Sequence, residues 1–492
     1  MSSVQNTSPD VFYVSVNKSK SLQHLDIPMI ATAVLVALLL LKFFLPLFRF
    51  PIPLGYDPGI YRFLFLKYAA SFPLLPDLPR WAGEHPPGLL LLTAPFLRVG
   101  MPVEWLLGWI WNLFPVFLAI ALALSWRGKE GKAVGILVLL TALLSVAYYD
   151  GFVGMYWKTY AALLFTVFTF RALEKKSYSA ALFAFLALII HHQTGLLLGL
   201  TIATWWALSL KGRLRDRRVW MTGWMLAAVA LLSLLFYLPH WTAAVRDPFT
   251  SIYKLRGDLA PGGSFPDPSF YLRTSGILLA LGAWGLILSF KKERGTLWQL
   301  AVLWTLPFII LRLVFYRRFF LQCDFFLLPF AALAIRDLWT RVRSVPLQTA
   351  LIVIIAAQAA ISLRVAWERV PTIDMDSYGA VQSAALEAPA GDTPVIALDN
   401  AASPWLLGAL PDRSVGGPGI FDLPGWKEEE WAKFLYGTDA ERLPYLEQLP
   451  QGTLFVLTPL FEEYYGEHVK GFLADACFTK KGEWVLESGC GK

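Results

Sequence analysis

Apolar runs close to 18 residues or longer recur along the first three quarters of this chain, and charged residues punctuate them at regular intervals. A stretch of about 20 apolar residues is long enough to cross a bilayer as a helix. Eleven such segments are read, at 28–48, 102–124, 133–149, 159–173, 179–191, 195–210, 219–239, 275–290, 297–315, 319–335 and 346–366. The composition agrees: 56% of the 492 residues are hydrophobic and only 16% are charged, against about 25% charged in an ordinary soluble domain. The first 27 residues are polar, and the apolar run that follows is long enough to remain in the membrane rather than serve as a cleaved signal.

The loops alternate in charge. Basic clusters stand at Arg127-Lys129-Lys132, Lys175-Lys176, Lys211 to Arg218, Lys291-Lys292-Arg294 and Arg336-Arg341-Arg343. If each apolar segment crosses once, all of them fall on the side of the N-terminus, which the positive-inside rule makes cytoplasmic. The expected fold is therefore an α-helical multi-span membrane protein with about 11 transmembrane helices. Residues 1–27 form a cytoplasmic segment, 28–366 the membrane domain with a long first outer loop at 49–101, and 367–492 an extracytoplasmic domain.

The tail is chemically distinct. From Trp367 onward there are 20 acidic and 9 basic residues, a net of −11, so the rest of the chain carries +18 of the overall +7. The basic balance reflects membrane topology and gives no sign of a nucleic-acid partner. Two β-like runs, Thr393 to Leu398 and Thr453 to Leu457, alternate with helix-compatible stretches such as Glu428 to Phe434, and a small α/β domain is expected. Cys477 and Cys490 lie thirteen residues apart, leaving two readings: a disulfide closing a hairpin-like loop, or two free thiols.

Unusual polar residues gather in the outer loops. Asp57, Arg62, Glu84 and His85 lie in the first; Asp150 and Lys158 flank the second; His191 and His192 open the third; Arg312, Arg317 and Arg318 crowd the fifth. Each has a bland reading. Asp57 precedes Pro58-Gly59 and suits a turn or helix cap. The His pair suits a polar turn, and Arg317-Arg318 suits snorkelling anchors. Asp150 could pair with Lys158, and Arg62 could neutralise Asp57 across one helical turn. Their accumulation on one side favours a site. Arginines held there against the positive-inside bias suggest an anionic ligand such as a phosphate.

The first loop resembles that of the lipid-phosphate-dependent glycosyltransferases of the GT-C superfamily, near the protein O-mannosyltransferases and the aminoarabinose transferases of lipid A. Asp57 followed by Tyr61 matches the acid and tyrosine of that loop. Glu84-His85-Pro86-Pro87-Gly88, Leu89 to Leu97, Gly100 and Glu104-Trp105 follow its closing layout. The likeness is clear over about residues 50–112 and architectural elsewhere. Two positions depart from it: Pro58 replaces a frequent second acid, and His85 replaces a lysine that would contact donor phosphate. A histidine does so either protonated or as a neutral donor.

The resemblance implies a polyprenyl-phosphate-linked sugar as donor and an acceptor that is lipid, polysaccharide or protein. Transfer needs an acceptor hydroxyl deprotonated by a base, here Asp57, and cations to stabilise the departing phosphate, here Arg312, Arg317, Arg318 and Lys158. Tyr61, Arg62, Glu84, His85, Asp150, His191 and His192 would position sugar or acceptor, and the acids and histidines among them could instead hold a divalent cation. No metal motif such as His-Glu-x-x-His occurs, and the cofactor stays open. The alternatives are a polytopic lipid or glycan transporter without transferase chemistry, and an oligosaccharyltransferase-like enzyme.

Overall fold

A computed structural model describes residues 27–83, 85–210, 217–241, 246, 265–313, 315–388, 391–419, 421 and 423–491. The expected N-terminal segment, Glu84 and most of the fourth outer loop lie outside them. Each of the eleven apolar segments contains helix among its described residues. Among the described residues, seven helices are long and apolar enough to cross a membrane, and eight if the bent pair Lys132–Leu144 and Val146–Val153 counts as one span. Helices Ser179–Ile190 and Leu297–Ile310 are shorter apolar helices. Their residues were read as spans from hydropathy alone, which does not see that each helix stops after 12 or 14 residues.

Helix Arg318–Arg341 is the centre of the bundle. It is buried over 89% of its apolar window, against 28% for the opening span Ile27–Arg49. It packs against Pro268–Lys292, Lys132–Leu144 and Leu297–Ile310. Its middle, Phe325 to Ile335, is an unbroken run of buried apolar residues, as such a position requires.

The bent pair turns by 58° at Ser145, whose extended backbone (ψ 125°) ends the first helix and caps the second. Breaking a helix inside a membrane frees carbonyls that need donors. Lys42 of the opening span supplies them: its Nζ donates to Leu143 O at 2.8 Å and Ser145 O at 3.2 Å, and to Ser362 Oγ at 2.8 Å. The Ser145 hydroxyl donates to Asp324 of the central helix. Three elements thus hold the break, and the short helix beyond it carries Tyr148, Tyr149 and Asp150 at a fixed angle.

The first outer loop is ordered around helix Pro58–Ser71, which packs on helix Ala402–Ala409 of the C-terminal domain. The approach is close enough that a Cβ on Gly59 would stand 1.9 Å from Pro404 O. Arg62 donates to Gly408 O and pairs with Glu104 at 3.2 Å, and Lys67 reaches Asp412 at 3.1 Å. The loop is thereby clamped between membrane bundle and tail.

The tail is an α/β unit with a five-stranded sheet of order β2-β1-β3-β5-β4. Strands β1 (Val395–Ala397) and β3 (Leu454–Val456) lie inside the two runs expected from sequence. Strand β2 (Val415–Gly416) pairs parallel to β1, and β1 parallel to β3. Strands β4 (Phe478–Lys480) and β5 (Val485–Ser488) complete the sheet antiparallel. Ile396, Phe434, Phe455, Phe461 and Phe472 form its core. Cys477 and Cys490 are joined by a disulfide that ties β4 to the residues after β5.

Candidate active site

Asp57 sits at the N-terminus of helix Pro58–Ser71, as a cap would, but its side chain makes no capping hydrogen bond. The half-buried carboxylate is left facing two cations, Lys158 at the start of helix Trp157–Glu174 and Arg318 at the start of the central helix. Burial pushes the Asp57 carboxyl above its ordinary value of 3.8, and the attraction of Arg318 and then Lys158 opposes that shift. Tyr61, one helical turn on, is raised by burial first and by Asp57 second. Its ring lies 5.8 Å from the Lys158 ammonium.

Lys158 Nζ is within hydrogen-bond distance of His85 Nδ1. An ammonium has only donors, so Nδ1 accepts and the imidazole proton stays on Nε2. Burial, then Lys158, Arg318 and His192, hold His85 well below the usual histidine range. His85 is therefore neutral at neutral pH, a donor through Nε2 rather than a second cation. The permanent charge of this corner is the Arg318 guanidinium; burial, then Arg318, bring the Lys158 ammonium down to about 7, and Asp57 opposes that shift.

The third loop closes the corner. His191 Nδ1 bonds the Thr194 hydroxyl at 2.8 Å, and Gln322 of the central helix donates to the same hydroxyl at 3.0 Å. Several buried polar atoms here lack a hydrogen-bond partner: His192 Nδ1, Gln193 Oε1, Gln322 Oε1, and Nε of Arg317 and Arg318. Buried polar groups are normally satisfied, so the set is suited to a ligand with an anionic part for the guanidinium N–H groups and hydroxyls for the two glutamine oxygens. The Arg318 guanidinium lies over the rings of Phe315 (4.9 Å) and Tyr156 (5.3 Å), which fix its plane.

Asp57, Tyr61, His85, Lys158, Arg318 and His192 are thus neighbours in one corner. The other expected residues are placed differently. Arg62 is engaged with Glu104 and Gly408 rather than with Asp57. Asp150 is 4% exposed and takes both bonds of Arg369, at 2.6 and 3.0 Å, plus one from Tyr271 at 3.2 Å. It ties the short helix after the break to the junction with the tail, and it does not pair with Lys158. Arg317 leans toward Asp267 (3.9 Å) and Phe265 O (3.5 Å). Arg312 is exposed, in a left-handed turn with φ 50°. Among the described residues no group of three His, Cys, Asp or Glu side chains is placed to hold a metal ion.

Sequence reasoning missed Arg369, the partner of Asp150, although it is the first basic residue after the last span. It also missed Asn400, which follows β1 and accepts from the Tyr56 hydroxyl at 2.6 Å, bringing the tail beside Asp57. No local signal marks that contact, since the two residues are 344 apart in sequence.

The fold resembles those of an archaeal oligosaccharyltransferase and of ArnT. Comparison with solved structures finds the oligosaccharyltransferase AglB of Archaeoglobus fulgidus, in complex with an inhibitory peptide and a dolichol-phosphate, at TM-score 0.62 and 12% identity, over 88% of this chain and 69% of that one. The Archaeoglobus fulgidus enzyme tethered to an acceptor peptide containing the NVT sequon matches at TM-score 0.60 and 12% identity, over 95% and 74% of the two chains. ArnT of Cupriavidus metallidurans, an aminoarabinose transferase, matches at TM-score 0.55 and 12% identity, over 93% of this chain and 96% of its own. No protein-family model matches the sequence. No curated protein matches it either.

Proposed function

We propose that this chain is an inverting membrane glycosyltransferase that moves a sugar from a polyprenyl-phosphate carrier to an acceptor hydroxyl. The observation that carries the reading is the Asp57 carboxylate, raised in basicity by burial, uncapped, and facing Lys158 and Arg318. In the step proposed, Asp57 takes the proton of the acceptor hydroxyl as the oxygen attacks the anomeric carbon. The bond from that carbon to the phosphate oxygen breaks on the opposite face. Its electron pair leaves with the polyprenyl phosphate, whose growing charge Lys158 and Arg318 stabilise. His85 Nε2 donates to a sugar or phosphate oxygen, and the unpaired carbonyl oxygens of Gln193 and Gln322 accept from sugar hydroxyls. Arg317 belongs to the second rank of cations; Arg312, exposed in its turn, would reach the site only by a change of loop conformation. Asp150, held by Arg369 and Tyr271, has a structural role at the junction with the tail.

The topology that goes with this reading has an odd number of crossings in a cell membrane, eleven if helices Trp157–Glu174, Ser179–Ile190 and Leu297–Ile310 also cross, with residues 1–27 in the cytoplasm and Asp57 with residues 367–492 outside. A disulfide in the tail suits an oxidising compartment. That the Archaeoglobus fulgidus enzyme is seen with a dolichol-phosphate supports a lipid-phosphate donor here. Full-length protein in lipid discs, offered radiolabelled polyprenyl-phosphate sugars with a hydroxyl-bearing lipid, glycan or peptide, tests the proposal. Labelled acceptor with inverted anomeric configuration supports it. Label moving only to an asparagine amide would favour oligosaccharyl transfer, and carrier crossing the bilayer with its sugar intact would favour a transporter.

A further inference from the structure

We propose that the end of the bundle opposite Asp57 holds a binding site for the headgroup of an anionic phospholipid. From Arg318 beside Asp57 to Arg336, the central helix rises about 27 Å at 1.5 Å per residue. There, between helices Trp111–Glu130, Pro268–Lys292, Leu297–Ile310 and Arg318–Arg341, lies a cavity of about 340 Å³. That volume falls in the range of roughly 300–1,000 Å³ usual for small-ligand sites.

Its lining joins cations to apolar walls. Trp126, Phe330 and Leu333 form the floor. Around it stand five cationic side chains and three carboxylates. The carboxylates are already engaged. Glu130, with its side chain 8% exposed, pairs with Lys292 at 2.7 Å and Arg336 at 3.3 Å. Asp337 pairs with Arg341 at 2.8 Å, and Glu293 stands 3.9 Å from Lys129. Positive charge is left over, with exposed Lys291 at the rim. A second cavity of about 770 Å³ shares Lys129 and Glu293 and adds Arg171, Lys175 and Arg294 against one further carboxylate, Glu174, which pairs with Lys129 at 3.5 Å, so a smaller excess extends sideways.

The occupant is a lipid rather than a free anion because of what leads to the cavity. Trp284, Ile287, Leu288 and Lys291 are spaced three and four apart and share one face of their helix. Trp284 is 41% and Ile287 52% exposed. This apolar stripe runs along the bundle toward the cationic rim, as acyl chains below a phosphodiester require. Basic pockets between membrane helices recognise anionic headgroups in this way.

The test uses the detergent-purified full chain, read by native mass spectrometry and thermal shift with phosphatidylglycerol, phosphatidylcholine or inorganic phosphate. The expected result is one retained phosphatidylglycerol per chain, preferred over phosphatidylcholine, with millimolar phosphate unable to displace it. The double variant Lys291→Gln/Arg341→Gln should weaken binding about tenfold or more. The double variant Lys176→Gln/Arg343→Gln, which removes equal charge from residues that line neither cavity, should leave it unchanged. Lipid-free melting points of both variants guard against misfolding. Equal loss in the two doubles would mean diffuse surface attraction and overturn the site. So would equal retention of the two lipids, displacement by phosphate, or no retention at all.

Discussion

Lys158→Met removes one ammonium from the corner while keeping an unbranched side chain of similar length. Lys158 has two contacts there, a hydrogen bond to His85 Nδ1 and the face of the Tyr61 ring at 5.8 Å. It is also one of the two cations that hold down the Asp57 carboxyl. If its main work is to stabilise the departing phosphate, the loss falls on the transition state, and one preorganised group of this kind contributes about 10²–10³ in rate, or about 3–4 kcal/mol. The turnover number should fall by that factor, with a smaller change in the KM for donor and none in that for acceptor.

A second readout follows from charge. Asp57 works deprotonated, and its carboxyl already lies above the ordinary value of 3.8. Without Lys158 it rises further, so protonation begins at a higher pH on acidification. The acid limb of the pH–rate profile should therefore move toward neutrality in Lys158→Met, while the alkaline limb set by loss of the Lys158 proton, at about 7 in the wild type, should disappear. Steady-state kinetics with a labelled polyprenyl-phosphate sugar across pH 4 to 8 give both readouts. Wild-type turnover together with an unmoved acid limb would refute the placement of Lys158 against both phosphate and base.

The Arg369–Asp150 tie should matter to stability rather than to chemistry. Arg369→Gln leaves a buried carboxylate with Tyr271 alone, and breaking one side of such a pair costs about 3 kcal/mol or more. The melting temperature in detergent should fall, and Asp150→Asn in the same chain should restore most of it. Gly59→Ala should uncouple loop from tail, because the new Cβ meets Pro404 O at 1.9 Å. Faster proteolysis between the loop helix and residues 402–409, with loss of transfer, is expected, although alanine is by itself the better helix former by about 1 kcal/mol.

Much of the fold could be read from hydropathy. Each of the eleven apolar segments contains helix, because in a membrane the backbone has few other ways to satisfy itself, but the number of spans among the described residues is seven or eight. What hydropathy hides is the break at Ser145. It interrupts an apolar run without proline or glycine at the bend, and it is held by Lys42 more than a hundred residues earlier. Strands β1 and β3 were legible because they are buried apolar runs bounded by turn residues. Strand β2 was not, since it is two residues long, and edge strand β4, Phe-Thr-Lys, has no buried face to leave a pattern. At the site, Asp57 and Tyr61 stood out by their place after the first span. The choice among the cations did not, since Lys158, Arg312, Arg317 and Arg318 look alike in sequence. Only the helix starts at Trp157 and Arg318 select two of them.

The central claim is that Asp57 removes the acceptor proton. Asp57→Asn keeps the shape of the side chain and cannot take a proton, so the decisive measurement is single-turnover transfer by this variant with donor saturating. Donor binding should persist, since Lys158 and Arg318 remain, while transfer falls at least a hundredfold. Transfer at the wild-type rate, with the same acid limb, would contradict the account.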